Sequence, residues 1–234
     1  MNATRSTRVT DPLRTAIIIS LLVSASPAIA DERAERLATC APLVTAIYDG
    51  CVVENHYKCP DGGIFAEELN LTSGDTISLM GADYVMVYDY DVDSLSGVHG
   101  AESYTDRFDI SVLLETGFET EEGTLSVSYF NGFLQSTPVK ATYSMLGESR
   151  SFSTGEMQTI AFTQDMVMGF GNNLAAAEGT LYLSQSIGTY FVGEASVVIN
   201  GARLDLPDLI DIVGPDSPFF MTQHPEDTCQ DPLS

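Results

Sequence analysis

The segment Tyr84-Val-Met-Val-Tyr-Asp-Tyr-Asp-Val-Asp93 concentrates the side chains best suited to bind something. Asp89, Asp91 and Asp93 occupy alternate positions. In a strand that spacing puts three carboxylates on one face, where they repel unless a cation or hydrogen-bond donors neutralise them. Oxygen-only ligands suit Ca²⁺, which exported modules bind weakly enough to use a millimolar supply. Tyr84, Tyr88 and Tyr90 fall at even spacing, as lining of a core or cavity on which a small ligand would stack.

Other letters temper the metal expectation. The acidic run resembles the opening of an EF-hand loop and then departs from it, with Ser94 at the sixth loop position instead of glycine and Gly100 at the twelfth instead of glutamate. A strand end entering a solvated acidic loop accounts for the same residues without an ion. His99 lies in the loop Gly97–Asp106 near Glu102 and Asp106, the types used for general acid–base work or metal ligation; a surface histidine beside acids is the plainer account. His56 alternates with Glu54 and Lys58, which suggests a polar outer strand face, and His224 precedes Pro225. No cofactor motif is present.

Nucleophile and phosphate motifs are missing. There is no Gly-x-Ser-x-Gly, since Gly147-Glu-Ser149 lacks its second glycine and suits a hairpin turn; no P-loop, no Gly-x-Gly-x-x-Gly after a strand and no His-Glu-x-x-His occurs. Gly169-Phe-Gly-Asn-Asn173 reads as a turn. The chain has no Trp, so the Gly-x-Trp signature of lipocalins and the usual sugar-stacking platform are absent. The expected role is therefore binding of a small ligand or an envelope protein, or a structural part in the envelope. The alternative is an extracytoplasmic hydrolase using carboxylates from residues 83–109, where the separation of two acids would set the chemistry.

Charge narrows the partners. With 33 acidic against 10 basic residues the formal charge is −23 over 234 residues, which excludes a polyanion such as nucleic acid as the partner. Residues 1–30 have the parts of a secretory signal peptide: Arg5, Arg8 and Arg14, the apolar run Thr15–Ala25, and Pro27-Ala-Ile-Ala30 before the cleavage point. That run is too short for the roughly 20 residues that cross a bilayer, so no transmembrane span is expected after its removal. The segment carries three Arg and one Asp (Asp11), so cleavage would leave 204 residues at −25. Self-repulsion of that size favours a salty or divalent-rich compartment, periplasmic or extracellular.

An even set of cysteines in an exported chain, Cys40, Cys51, Cys59 and Cys229, predicts two disulfides. Residues 51–58 look like a strand, which at about 3.3 Å per residue holds Cys51 and Cys59 too far apart to bond. Loop shortness favours Cys40 with Cys51 and Cys59 with Cys229; the crossed pairing, Cys40 with Cys59 and Cys51 with Cys229, stays open.

The elements that must carry these residues are strands. Period-2 alternation marks 51–58, 64–70, 75–80 and 84–91, then Phe108–Leu114, an acidic turn Gly117–Gly123, Leu125–Tyr129, Val139–Met145, Ile160–Phe162, Leu181–Ile187 and Phe191–Ile199. About ten short strands parted by turn residues predict an all-β, antiparallel sandwich or up-and-down barrel. Short peripheral helices are expected at Asp31–Thr39 and Leu206–Gly214, and residues 215–234 form a Pro-rich tail lying against the body through Phe219, Phe220 and Cys229. Residues 31–234 thus form a single domain.

Overall fold

The computed structural model describes residues 26–91, 97–128, 134–168, 173–199 and 201–229. Its architecture is an antiparallel meander: β1 (Ala41–Tyr48), β2 (Val52–Lys58), β3 (Ile64–Asn70), β4 (Thr76–Met80), β5 (Met86–Asp91), β6 (Gly97–Asp106), β7 (Phe118–Ser128), β8 (Leu134–Phe152), β9 (Gly155–Met168), β10 (Asn173–Ser184), β11 (Thr189–Ile199) and β12 (Ala202–Asp205) each pair with the next. β13 (Leu209–Val213) then returns to the start and pairs with β1, Thr45 opposite Val213 and Ile47 opposite Asp211. The fold is therefore all-β with two short α-helices, α1 (Ser26–Thr39) and α2 (Ile110–Thr116), as the alternation implies.

The meander doubles over so that its beginning packs on its end. Val44, Ala46 and Tyr48 of β1, with Leu209 and Ile212 of β13, meet Phe152, Met157, Tyr182 and Phe191 from β8 to β11 in one core. A second core gathers Val85, Phe108 and the fully buried Leu113 of α2 against Ile160, Leu181 and Leu183. Where β13 leaves an open edge, side chains seal it. Arg150 donates to the Leu209 carbonyl at 3.0 Å and to the Tyr182 hydroxyl at 3.1 Å, and Ser153 donates to both carboxylate oxygens of Asp211. Covering an edge in this way removes a template for unwanted pairing.

Several segments depart from the periodicity. Phe108–Leu114, expected as a strand, is mostly helix: the Asp109 carboxylate accepts from Ser111 N at 2.8 Å as an N-cap, and Gly117, at φ 78°, closes the other end by donating to Leu113 O. The acidic Gly117–Gly123, expected as a turn, is largely the first half of β7. Gly97–Asp106, expected as a loop, is β6. Leu206–Gly214, expected as a peripheral helix, is instead β13, because the unpaired edge of β1 offers a full ladder and burial for Leu209 and Ile212. Gly147-Glu-Ser149 lies within β8 as an irregularity in register, with Gly147 at φ 71°, and not in a hairpin turn. β1 and β12 stand outside the predicted strands.

Both disulfides form, in the crossed pairing. Cys40 bonds Cys59 and Cys51 bonds Cys229, so the pairing favoured by loop shortness is incorrect. Ala41 faces Lys58 across β1 and β2, and Cys40 and Cys59 are the next positions along that ladder, which brings their Cα atoms to 4.2 Å. Two bridges of this kind belong to an oxidising, exported environment. The tail is held by Cys229, by Asn55 Nδ2 donating to Thr222 O at 2.8 Å, and by Met221 N donating to Thr45 Oγ1 at 2.7 Å. Among the described residues no helix is long and apolar enough to cross a membrane.

Candidate functional site

The ladder register fixes what looks inward from β1 to β5. One row across the sheet reads Val44, His56, Ala66, Ser78, Asp89; the next reads Ala46, Glu54, Glu68, Thr76. Residues two apart on a strand share a face, so most of this set points to one side. That side borders a partly open cavity of about 700 Å³, lined also by Thr189, Tyr190 and Val192 of β11 and by residues 204–207. Its apolar walls come from Ile64, Leu79, Met80, Met86 and Val192, while Glu54, His56, Glu68 and Asp89 supply a polar end. A volume of this size is that of pockets holding small organic molecules.

The polar face of β2 is thus an inner one. Glu54, His56 and Lys58 were expected to face water, but both faces of β2 are covered: Glu54 and His56 border the cavity, and Asn55 and Tyr57 lie beneath the tail and its neighbours. Glu54 and Glu68 stand directly opposite on β2 and β3, a like-charged cross-strand pair that a sheet tolerates only at a cost. Partners separate their fates. Burial alone would push Glu54 up, but His56, whose Nε2 lies 3.0 Å from Glu54 Oε2, and the Tyr48 hydroxyl, which donates to the same oxygen at 3.2 Å, hold it below the ordinary carboxylate range. Burial and the neighbouring charge of Glu54 push Glu68 up to about 7. The same two causes push Asp89, which also lines the cavity, up to about 6.

Neighbouring hydroxyls follow the same field. The phenols of Tyr48 and Tyr190 are raised, first by burial and then by nearby carboxylates. Behind Tyr190 a second network runs outward: Tyr143 donates to Glu121 Oε2 at 3.0 Å, and burial raises Glu121 despite that bond. His56 remains the odd member. It is 3% exposed, its ring stacks at 4.8 Å from Phe191, and neither ring nitrogen has a hydrogen-bond partner; Nε2 is near Glu54 but off the line of an N–H···O bond.

Of the residues singled out by spacing, Asp89 reaches the cavity. Asp91 lies in β5 opposite Thr76, and Asp93 is outside the described residues. Tyr88 and Tyr90 lie in β5 opposite Leu79 and Ile77, whereas Tyr84 precedes the strand in a turn at φ 66° and packs with the Val85, Phe108 and Leu113 core. Among the described residues no three His, Cys, Asp or Glu converge closely enough to hold a metal ion. His99 is in β6, and His224 sits in the tail with Nδ1 3.3 Å from Glu226. Glu54, Glu68 and His56 carry the polar end of the site, and the alternation Glu54, His56 was their only signal. A second hollow, of about 860 Å³, is an open acidic depression around Asp49, Glu178, Glu194 and Asp208, with Arg203 bridging Glu178 and Asp205.

Fold and site together define the class: a disulfide-stapled, all-β meander with a partly open cavity that has apolar walls and one acidic end. Comparison with known protein families, curated proteins and solved structures finds no match.

Proposed function

We propose that this is an exported protein of the periplasm or extracellular space that binds a small amphipathic ligand inside its β-structure. The cavity of about 700 Å³ carries the proposal, because apolar walls with a few convergent polar groups are what organic ligands require. The signal-like residues 1–30 and the two disulfides support export. The test uses the oxidised, processed protein and the neutral dye Nile red. One dye per chain is expected to bind with a blue shift, and Ser78→Trp, which fills the cavity between Ala66 and Asp89, is expected to abolish it with the far-UV dichroism unchanged. Absence of binding, or binding indifferent to Ser78→Trp in the folded variant, would contradict the proposal.

The opposite displacement of Glu54 and Glu68 favours a second reading, an extracytoplasmic hydrolase. A carboxylate beside a carboxylic acid on adjacent strands is the pairing glycoside hydrolysis uses. Turnover across a panel of nitrophenyl glycosides, lost in Glu54→Gln, is the result this reading expects; an inactive wild-type protein removes it.

A further inference from the structure

The polar end of the cavity is dominated by carboxyls, with the hydroxyls of Thr76, Ser78 and Tyr190 also on its lining. Glu54, Glu68 and Asp89 bring three carboxyl groups there, and no Lys or Arg is among the residues that line the cavity. Two nearby donors are already committed, the Tyr48 hydroxyl to Glu54 and Asn70 Nδ2 to Glu68 Oε1 at 3.2 Å. His56 is buried to 3% exposure and lines the same cavity. Neither of its ring nitrogens has a hydrogen-bond partner, and native proteins rarely bury such atoms unless something else completes them.

Resting on the cavity being a binding site, we propose that its ligand is an amphipathic organic cation, an ammonium or amidinium on an apolar body, whose N–H groups pair with the carboxyls of Glu68 and Asp89 beside the unpartnered His56. An ammonium has three donors and no acceptor, the complement of this site, and N–H···carboxylate bonds are charge-assisted. The face of a tyrosine ring attracts a cation too, and Tyr48 and Tyr190 border the same space. The apolar body lies against Ile64, Met80, Met86 and Val192. An anionic ligand would meet three carboxyls with His56 alone, already beside Glu54, to offset them.

The experiment displaces Nile red from the oxidised protein at pH 8 with three ligands of equal chain length: octylamine, octanol and octanoate. Octylamine is expected to compete at least about tenfold better than octanol, with octanoate weakest, since charge-assisted bonds exceed neutral ones. Asp89→Asn and Glu68→Gln are each expected to lose several-fold of the octylamine affinity and none of the octanol affinity. His56→Phe should act likewise; because His56 is packed in the core, the two carboxyl variants decide the matter if it fails to fold. If Nile red binds and Ser78→Trp abolishes it, yet octylamine shows no advantage over octanol, the cation is wrong and the binding cavity stands. If Nile red does not bind, the cavity reading falls and the cation with it.

Discussion

Replacing Cys51 and Cys229 together by Ala is expected to lower the unfolding free energy by about 5 kcal/mol, the chain-entropy value for the 178 residues the bridge spans. The same change at Cys40 and Cys59, which span 19 residues, is expected to cost about 3 kcal/mol. The larger figure approaches the whole stability of an ordinary domain, so the first variant should be partly unfolded at growth temperature and the second folded. The effect also reaches the site. Cys51 opens β2, the strand that carries Glu54 and His56, and the tail that Cys229 anchors covers the other face of that strand through Thr222 and Met221. Urea unfolding of both variants measures the difference. A smaller loss from the long bridge than from the short one would show that the denatured chain keeps the tail near β2 without help, contrary to the entropy argument.

Legibility in the sequence stopped at a definite kind of information. Alternation marks a strand and its two faces, but it does not say which face is inside. In β2 the polar face turns inward and the opposite one is covered by a tail 167 residues further on, as Asn55 to Thr222 shows. Glu54 and His56 therefore look like surface residues in the sequence. The missed β1 has the same consequence for the disulfides. Pro42 suits a helix stop as well as an edge of a strand, and without β1 the ladder that sets Cys40 beside Cys59 is invisible. β13 was hidden for a related reason: Pro207, the acids and Gly214 are sound local helix signals, outweighed by an open strand edge that only the returned chain meets. Asp89 stands out in the sequence, as an expected cation ligand, because the alternation that marks it is local to one strand. Its partners Glu54 and Glu68 lie on strands β2 and β3 and needed the register.

Glu68 is expected to make the free protein less stable as the pH rises through neutrality, the reverse of ordinary acid denaturation. Its folded-state value of about 7 stands above the ordinary 4.5, so the native chain holds a proton that the unfolded chain has released. Stability from this group is complete below about 4.5 and is lost progressively as the pH climbs to about 7, by up to about 3 kcal/mol at 1.36 kcal/mol per pH unit. Asp89, raised to about 6, adds in the same direction. Glu54 acts oppositely: it is held low, so its contribution is present above the ordinary carboxylate range and is lost as the pH falls below it. Urea unfolding should accordingly give a maximum near pH 5 and a lower value at pH 8, and Glu68→Gln should remove most of the decline and stabilise the protein at pH 8. A stability that is flat or rising between pH 5 and 8, or that Glu68→Gln leaves unchanged, would show that Glu68 ionises there without strain. The same repulsion ties stability to binding. At pH 8 the cavity carries its fullest negative charge and the empty fold is weakest, so a bound cation relieves the most strain there and should raise the melting temperature more than it does at pH 5.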